Sequence, residues 1–297
     1  MWYYIPLAII VVMLITLINS FRYRLILNYA KESISTVHAF LVHQIVKFST
    51  IIVPFKMGAI VTKPVATKTL SGVEMKRSFP VTIFEQFIDI GWQIVFLPFL
   101  LIFIGEARLL SDMTVEIILL IALIGLVILA YKKRGSILSR LWRFKRVLPK
   151  KARNFGKKHG LSEEKTKKMV DQSVGYLSEW KLLLSIAIPT IAMILISPLV
   201  LQVTGLFFSV VIGYKIAFMA HWASFIIGRF SGVPSGFGTR DLSLAGFLII
   251  FGIDPIVTAQ LVILYRVINM IPSIVIGGSM SLYLGQDRIR KRAIHGL

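Results

Sequence analysis

Long apolar runs recur along this chain, and they constrain its fold more than any other feature. A helical run of roughly 18 residues or more crosses a hydrocarbon core ~30 Å thick. Inside that core each backbone N–H and C=O must find a partner within the protein. With 56% hydrophobic residues and a mean hydropathy of +0.78, the chain is expected to be an all-α, polytopic transmembrane helical bundle. It is read as one integral membrane domain over 1–297, comprising a first half 1–131, a basic connector 132–181 and a second half 182–297.

Charge separates the partners. The formal net charge is +20, but the basic residues flank apolar segments, where they set topology and attract anionic lipid. No nucleic-acid partner is expected. Cysteine is absent and the five histidines are scattered, so neither a thiolate site nor a structural or catalytic metal is expected, and no cofactor.

The N-terminus is apolar from Trp2 and lacks the basic n-region of a signal peptide, so residues 3–20 are expected to be a retained first span. Arg22, Arg24 and Lys31 then place a 22–33 loop in the cytoplasm and the N-terminus outside. Lys76 and Arg77 mark a second cytoplasmic loop. An even number of crossings must separate the two, which a re-entrant pair of half-helices satisfies: 34–53 and 57–70, broken at Pro54 and Gly58. The alternative is a full crossing by 34–53. Residues 79–104 follow, carrying Glu85 and Asp89 on one face. Carboxylates in a span are costly and usually face the protein interior.

Residues 115–131 return to the cytoplasm. The connector is dense in Lys and Arg, with an amphipathic pattern at Leu138, Leu141, Trp142, Phe144 and Val147 that suits an anionic lipid surface. Residues 182–204 and 206–227 are the next spans. The second of these carries His221, a core histidine by its setting, and Lys215, central enough to suggest a polar cavity. Leu242 to Phe251 is short for a span, and 256–284 is long, with Arg266 and Asn269 near its middle. An ion pair of Arg266 with Glu85 or Asp89 is one expectation. The basic tail Arg288–Arg292 is read as cytoplasmic.

Between the last short and long spans and their predecessor lies Gly228 to Asp241, rich in glycine and flanked by Arg229 and Arg240. Pro234 ends one helix, and Thr239 is the expected N-cap of the next, with Asp241 in its first turn. Helix-start N–H groups beside two arginines suit an anionic head group, and Gly236 and Gly238 permit close approach. The alternative is a tight turn whose arginines rest at the lipid interface. Each half thus holds a short, Gly/Pro-interrupted apolar segment with basic residues at the break. Paired interruptions of this kind point to a transporter's binding site and to a pseudo-symmetric arrangement of two halves.

These residues resemble the lysylphosphatidylglycerol synthase transmembrane-region family, also called the flippase-like domain, found in bacterial and archaeal membrane proteins. The family pattern Asn-x-x-x-Pro-x-Arg-x-Gly-Glu, then Glu-Arg-x-x-Asp, is matched by Pro54, Lys56 and Gly58, then Glu85 and Asp89. Its Pro-Gly-Gly-x-Gly-x-Arg-Glu, then Tyr-Arg, is matched by Pro234, Gly236, Gly238, Arg240 and Asp241, then Tyr265 and Arg266. The chain departs from the pattern at Lys56, Ala59, Gln86 and Asp241. The resemblance implies lipid handling: translocation of charged phospholipids, or, in archaeal relatives, a link to dolichyl-phosphate-linked glycosylation.

The expected function is therefore a flippase or scramblase for an anionic lipid, phospholipid or polyprenyl phosphate, in a prokaryotic cell membrane. The C-terminus is expected in the cytoplasm. Lys56, Arg229 and Arg240 would attract the phosphate, while Glu85, Asp89 and Arg266 would line the polar interior. These residues include no aminoacyl-transferase domain, and the chain is not expected to be an enzyme. Two other classes stay open: an ion-coupled small-solute transporter using Glu85, Asp89 and Lys215, and a non-transporting partner of a glycosyltransferase.

Overall fold

The computed structural model describes residues 2–52, 57–105, 163–231, 233 and 236–285. Every regular element among the described residues is helical. In order they are α1 (Tyr4–Tyr29), α2 (Thr36–Ile52), α3 (Met57–Ser71), α4 (Met75–Gly105), α5 (Glu163–Gly175), α6 (Trp180–Ile196), α7 (Leu199–Phe207), α8 (Tyr214–Phe230), α9 (Thr239–Ile250) and α10 (Pro255–Pro272). A π-helical segment, Ser273–Gly278, carries the last helix onward to Gly285. Among the described residues, three helical stretches are long and apolar enough to cross a membrane: Tyr4–Tyr29, Trp180–Phe207 and Pro255–Gly285.

The chain divides into two compact units, Met1–Gln86 with Ser173–Leu297, and Phe87–Gln172. In the first unit α1 packs against α2, α6, α7 and α10, while α9 lies between α8 and α10. Its apolar core joins Val12 of α1, Leu201 of α7, Ala220 of α8, Leu248 of α9 and Leu261 of α10. The outward faces are apolar too. Leu7, Ile10, Leu14 and Leu17 line one face of α1, and Leu184, Ile188, Ile191 and Leu195 line one face of α6, all exposed. Thr16, Ser20 and Arg22 of α1 turn inward and are buried. Apolar stripes outside and polar groups inside suit lipid, where exposed hydrocarbon carries no penalty.

Helix α2 packs against α3 on one side and the π-helical segment on the other. Gly277 makes the second contact possible: a Cβ there would overlap the Gln44 carbonyl oxygen and lie 3.0 Å from Phe48 Cβ. At 1.5 Å per residue, the 17 residues of α2 and 15 of α3 give lengths of about 26 and 22 Å.

Two boundaries differ from the sequence reading. The expected 22–33 loop is helical as far as Tyr29, because Ile26 and Leu27 bury their side chains and the Arg22 charge is met inside the protein. The 206–227 span is divided at Phe208–Gly213, where the chain reverses through Ser209 at φ 59. The Val210 N–H returns to the Gly205 carbonyl at 3.0 Å, and Ile212 packs on Gly205 so closely that a Cβ would sit 2.9 Å from Ile212 Cδ1. Lys215 consequently lies in the first turn of α8 and is exposed, not at the centre of a span. The short segment after the glycine-rich stretch is short indeed, the 12 residues of α9.

Candidate functional site: two polar clusters in one unit

Polar groups gather in two places in the first unit. The first cluster draws one residue from each of the first four helices: Arg22 from α1, His43 from α2, Lys63 from α3 and Glu85 from α4. All four are buried, Glu85 and Arg22 at 2% exposure. Lys63 pairs directly with Glu85. Arg22 Nη2 donates to Glu85 Oε1 at 3.2 Å, and Arg22 Nη1 reaches Thr190 Oγ1 of α6 at 3.5 Å.

Neighbouring contacts fix the tautomer of His43. Its Nδ1 lies 3.1 Å from the Ala39 carbonyl, which can only accept, so Nδ1 carries the proton. Nε2 is then free to accept from Lys63 Nζ at 3.0 Å. Lys63 also lies 4.0 Å from the centre of the Tyr23 ring, whose hydroxyl meets Thr67 Oγ1 at 2.9 Å. A carboxylate buried this deeply requires such partners, since an isolated charge there would be very costly.

The second cluster is built where α8, α9 and α10 meet. The end of α8 and the start of α9 touch through glycine. A Cβ on Gly228 would lie 2.6 Å from Arg240 Cβ, and one on Gly236 would lie 3.1 Å from Gly228 Cα. Gly236 and Gly238 both take positive φ, 63° and 77°, which favours glycine at each. The N-cap of α9 is Gly238, not the expected Thr239. Thr239 is instead the first helical residue, its hydroxyl donating to Ser231 Oγ at 2.9 Å. Asp241, in the first turn as expected, accepts from the Gly238 N–H at 3.0 Å.

Asp241 is also the ion-pair partner of Arg266. Arg266 is therefore answered by the acid one helix away, where the sequence had suggested Glu85 or Asp89. Its guanidinium stacks 4.0 Å from the centre of the Phe237 ring. Arg240 differs. Its Nη2 donates to the Tyr265 hydroxyl at 3.1 Å, and its guanidinium lies 5.1 Å from the Phe225 ring centre and 5.7 Å from that of Tyr265. Among the described residues no carboxylate pairs with it. Having accepted from Arg240, Tyr265 OH donates its own proton to His221 Nδ1 at 2.7 Å. His221 is buried, the satisfied core histidine expected from its setting.

The two clusters meet helix α4 at consecutive residues. Glu85 belongs to the first, while Gln86 Oε1 accepts from Arg229 Nη2 at 3.1 Å. The family pattern has Arg where Gln86 stands, and an arginine offers no acceptor. Of the residues singled out in the sequence, the structure thus gathers Arg240, Asp241, Tyr265, Arg266, Gly236 and Gly238 in one place, with Arg229 linking to α4. Asp89 lies one turn beyond Glu85 in the second unit. Gly58 falls in the first turn of α3. Pro54, Lys56, Pro234 and the 115–131 and 132–162 segments lie outside the described residues. Sequence reasoning missed Arg22 and Lys63. Their signal was present: Arg22 is followed by further apolar helix-forming residues, and Lys63 interrupts an apolar segment near its middle.

A family model described as the lysylphosphatidylglycerol synthase TM region matches residues 1–277. The chain belongs to that family. A relative described as the UPF0104 membrane protein of Methanothermobacter thermautotrophicus is 23% identical over 266 residues, covering 84% of this chain and 76% of the relative. No solved structure matches the chain. Membership and the helical stretches together make it an integral membrane protein, of a family consistent with a lipid-related role.

Proposed function

We propose that this family member is a flippase- or scramblase-like carrier of an anionic lipid, phospholipid or polyprenyl phosphate, in a prokaryotic cell membrane. The observation that carries this reading is Arg240. A half-buried guanidinium at the start of a helix, held on glycines and bounded by aromatic rings, has an aromatic hydroxyl for company and, among the described residues, no acid. The helix dipole adds to its pull on an anion. Such a group binds phosphate well, because Arg presents several donors in a fixed fork. Arg229 would flank the approach, the charge of Lys56 would add to the attraction, and Asp241 would keep Arg266 from competing for the same phosphate.

In this reading the head group follows the polar interior that contains Glu85 and Tyr265 while its tails remain in lipid. Helices α2 and α3, about 26 and 22 Å by their residue counts, would be the re-entrant pair. The N-terminus would lie outside and the C-terminus in the cytoplasm. The charge-relay reading for small solutes loses its third member, since Lys215 is exposed at a helix start. Reconstituted proteoliposomes test the proposal with head-group-labelled phosphatidylglycerol and polyprenyl-phosphate probes. Accelerated exchange of one probe is the expected result, and the faster probe names the class. Exchange no faster than in protein-free vesicles would sink it.

A further inference from the structure

A second cation in the same unit also lacks a carboxylate. Lys47 lies on α2, half-buried, and its Nζ donates to Thr16 Oγ1 at 2.6 Å. That hydroxyl already donates to the Val12 carbonyl at 2.9 Å, so it offers Lys47 a lone pair and no charge. No ion pair reaches Lys47 among the described residues. Thr16 sits near the midpoint of α1, which runs from Tyr4 to Tyr29, so it is about 18 Å from one end and 20 Å from the other. The ammonium is held beside the midpoint of a helix long and apolar enough to cross a membrane, and an unanswered charge packed against such a helix is costly and marks function.

The preceding turn of α2 supplies a complementary group. Gln44 is fully buried; its Nε2 meets Met13 Sδ at 3.6 Å, and its Oε1 has no hydrogen-bond partner among the described residues. Met13 and Thr16 are one turn apart on α1, as Gln44 and Lys47 are on α2. The seam between these helices therefore holds an ammonium short of an anion and a buried amide oxygen short of a donor. Both shortages are unfavourable in an interior, and one ligand can relieve both.

We propose that Lys47 and Gln44 form an inner subsite for a phosphate ester whose head group carries an O–H or N–H donor. The phosphate lies on Lys47 and the donor on Gln44 Oε1. This inference rests on the lipid-carrier reading and narrows its substrate, since a phosphate ester without a donor leaves the glutamine unanswered.

Calorimetric titration of purified protein in micelles tests it. The ligands are dioctanoyl phosphatidylglycerol, which has head-group hydroxyls, dioctanoyl phosphatidylcholine, which has none, and inorganic phosphate. Wild type should prefer the glycerol lipid by about tenfold, and Gln44→Met should erase that preference. Lys47→Gln should weaken binding of the glycerol lipid about tenfold. Unchanged affinity in Lys47→Gln would overturn the subsite, as would inorganic phosphate binding as tightly as the lipid. If Lys47→Gln does not fold, wild type is photo-crosslinked with a phosphatidylglycerol bearing a head-group diazirine. Label on residues 12–16 or 44–48 is expected, and label confined elsewhere overturns the subsite. Arg240→Ala separates the two readings: loss of binding there with full binding in Lys47→Gln removes the inner subsite alone, and full binding in both removes the carrier reading with it.

Discussion

At the residue scale, charge is handled in two ways. Glu85 pairs with Lys63 and Arg22, both buried, with His43 packed beside them, so its carboxylate is held from two other helices at once. Replacing it by alanine leaves two buried cations without that acid. Breaking a buried pair costs about 3–5 kcal/mol, so Glu85→Ala should lower the thermal unfolding temperature in micelles markedly. A variant as stable as wild type would show that the cluster adds little to the fold. Arg266 and Asp241 form a smaller, less buried pair. Mutated singly and together, they should show a coupling energy of about 0.5–3 kcal/mol in denaturant unfolding, and strict additivity would contradict the pairing.

At the element scale, glycine sets the distances between helices. Gly277→Ala would drive a methyl group into the Gln44 carbonyl and part α2 from the π-helical segment. Overpacking of this kind costs about 1–3 kcal/mol, and a stability loss of that order should appear in unfolding measurements; no loss would mean that the two segments part without penalty. Gly228→Ala has a more local effect, since its Cβ would meet Arg240 Cβ at 2.6 Å. It should slow lipid exchange while leaving the helical content unchanged by circular dichroism. Exchange at the wild-type rate would show that the position of Arg240 is unimportant.

Much of this arrangement was legible in the sequence. Apolar runs gave the helical class, the long spans near 182–204 and 256–284, and the short helix after the glycine-rich stretch. The family resemblance named Arg240, Asp241, Tyr265 and Arg266 as site residues, and the structure brings them together, though the sequence reading had expected Arg266 to pair with Glu85 or Asp89. What escaped the sequence was pairing between distant helices. Arg22 has the local features of a topology marker, and only Glu85, on another helix, shows why it is buried. Lys215 has the features of a mid-span charge until the turn at Phe208–Gly213 makes it the start of a helix. The N-cap moved from Thr239 to Gly238 because Asp241 reaches back to the Gly238 N–H.

At the scale of the whole molecule, the first unit has apolar outer faces and an apolar core, and encloses two polar clusters that adjoin consecutive residues of α4. That arrangement supports the proposed carrier reading. The central claim is that Arg240 receives the phosphate of a lipid head group. Exchange of labelled lipid in proteoliposomes should therefore be compared between wild type and Arg240→Ala, each confirmed folded by its unfolding transition. The account predicts exchange in wild type, and a fall to the protein-free rate in Arg240→Ala. Equal exchange by the two proteins would contradict it.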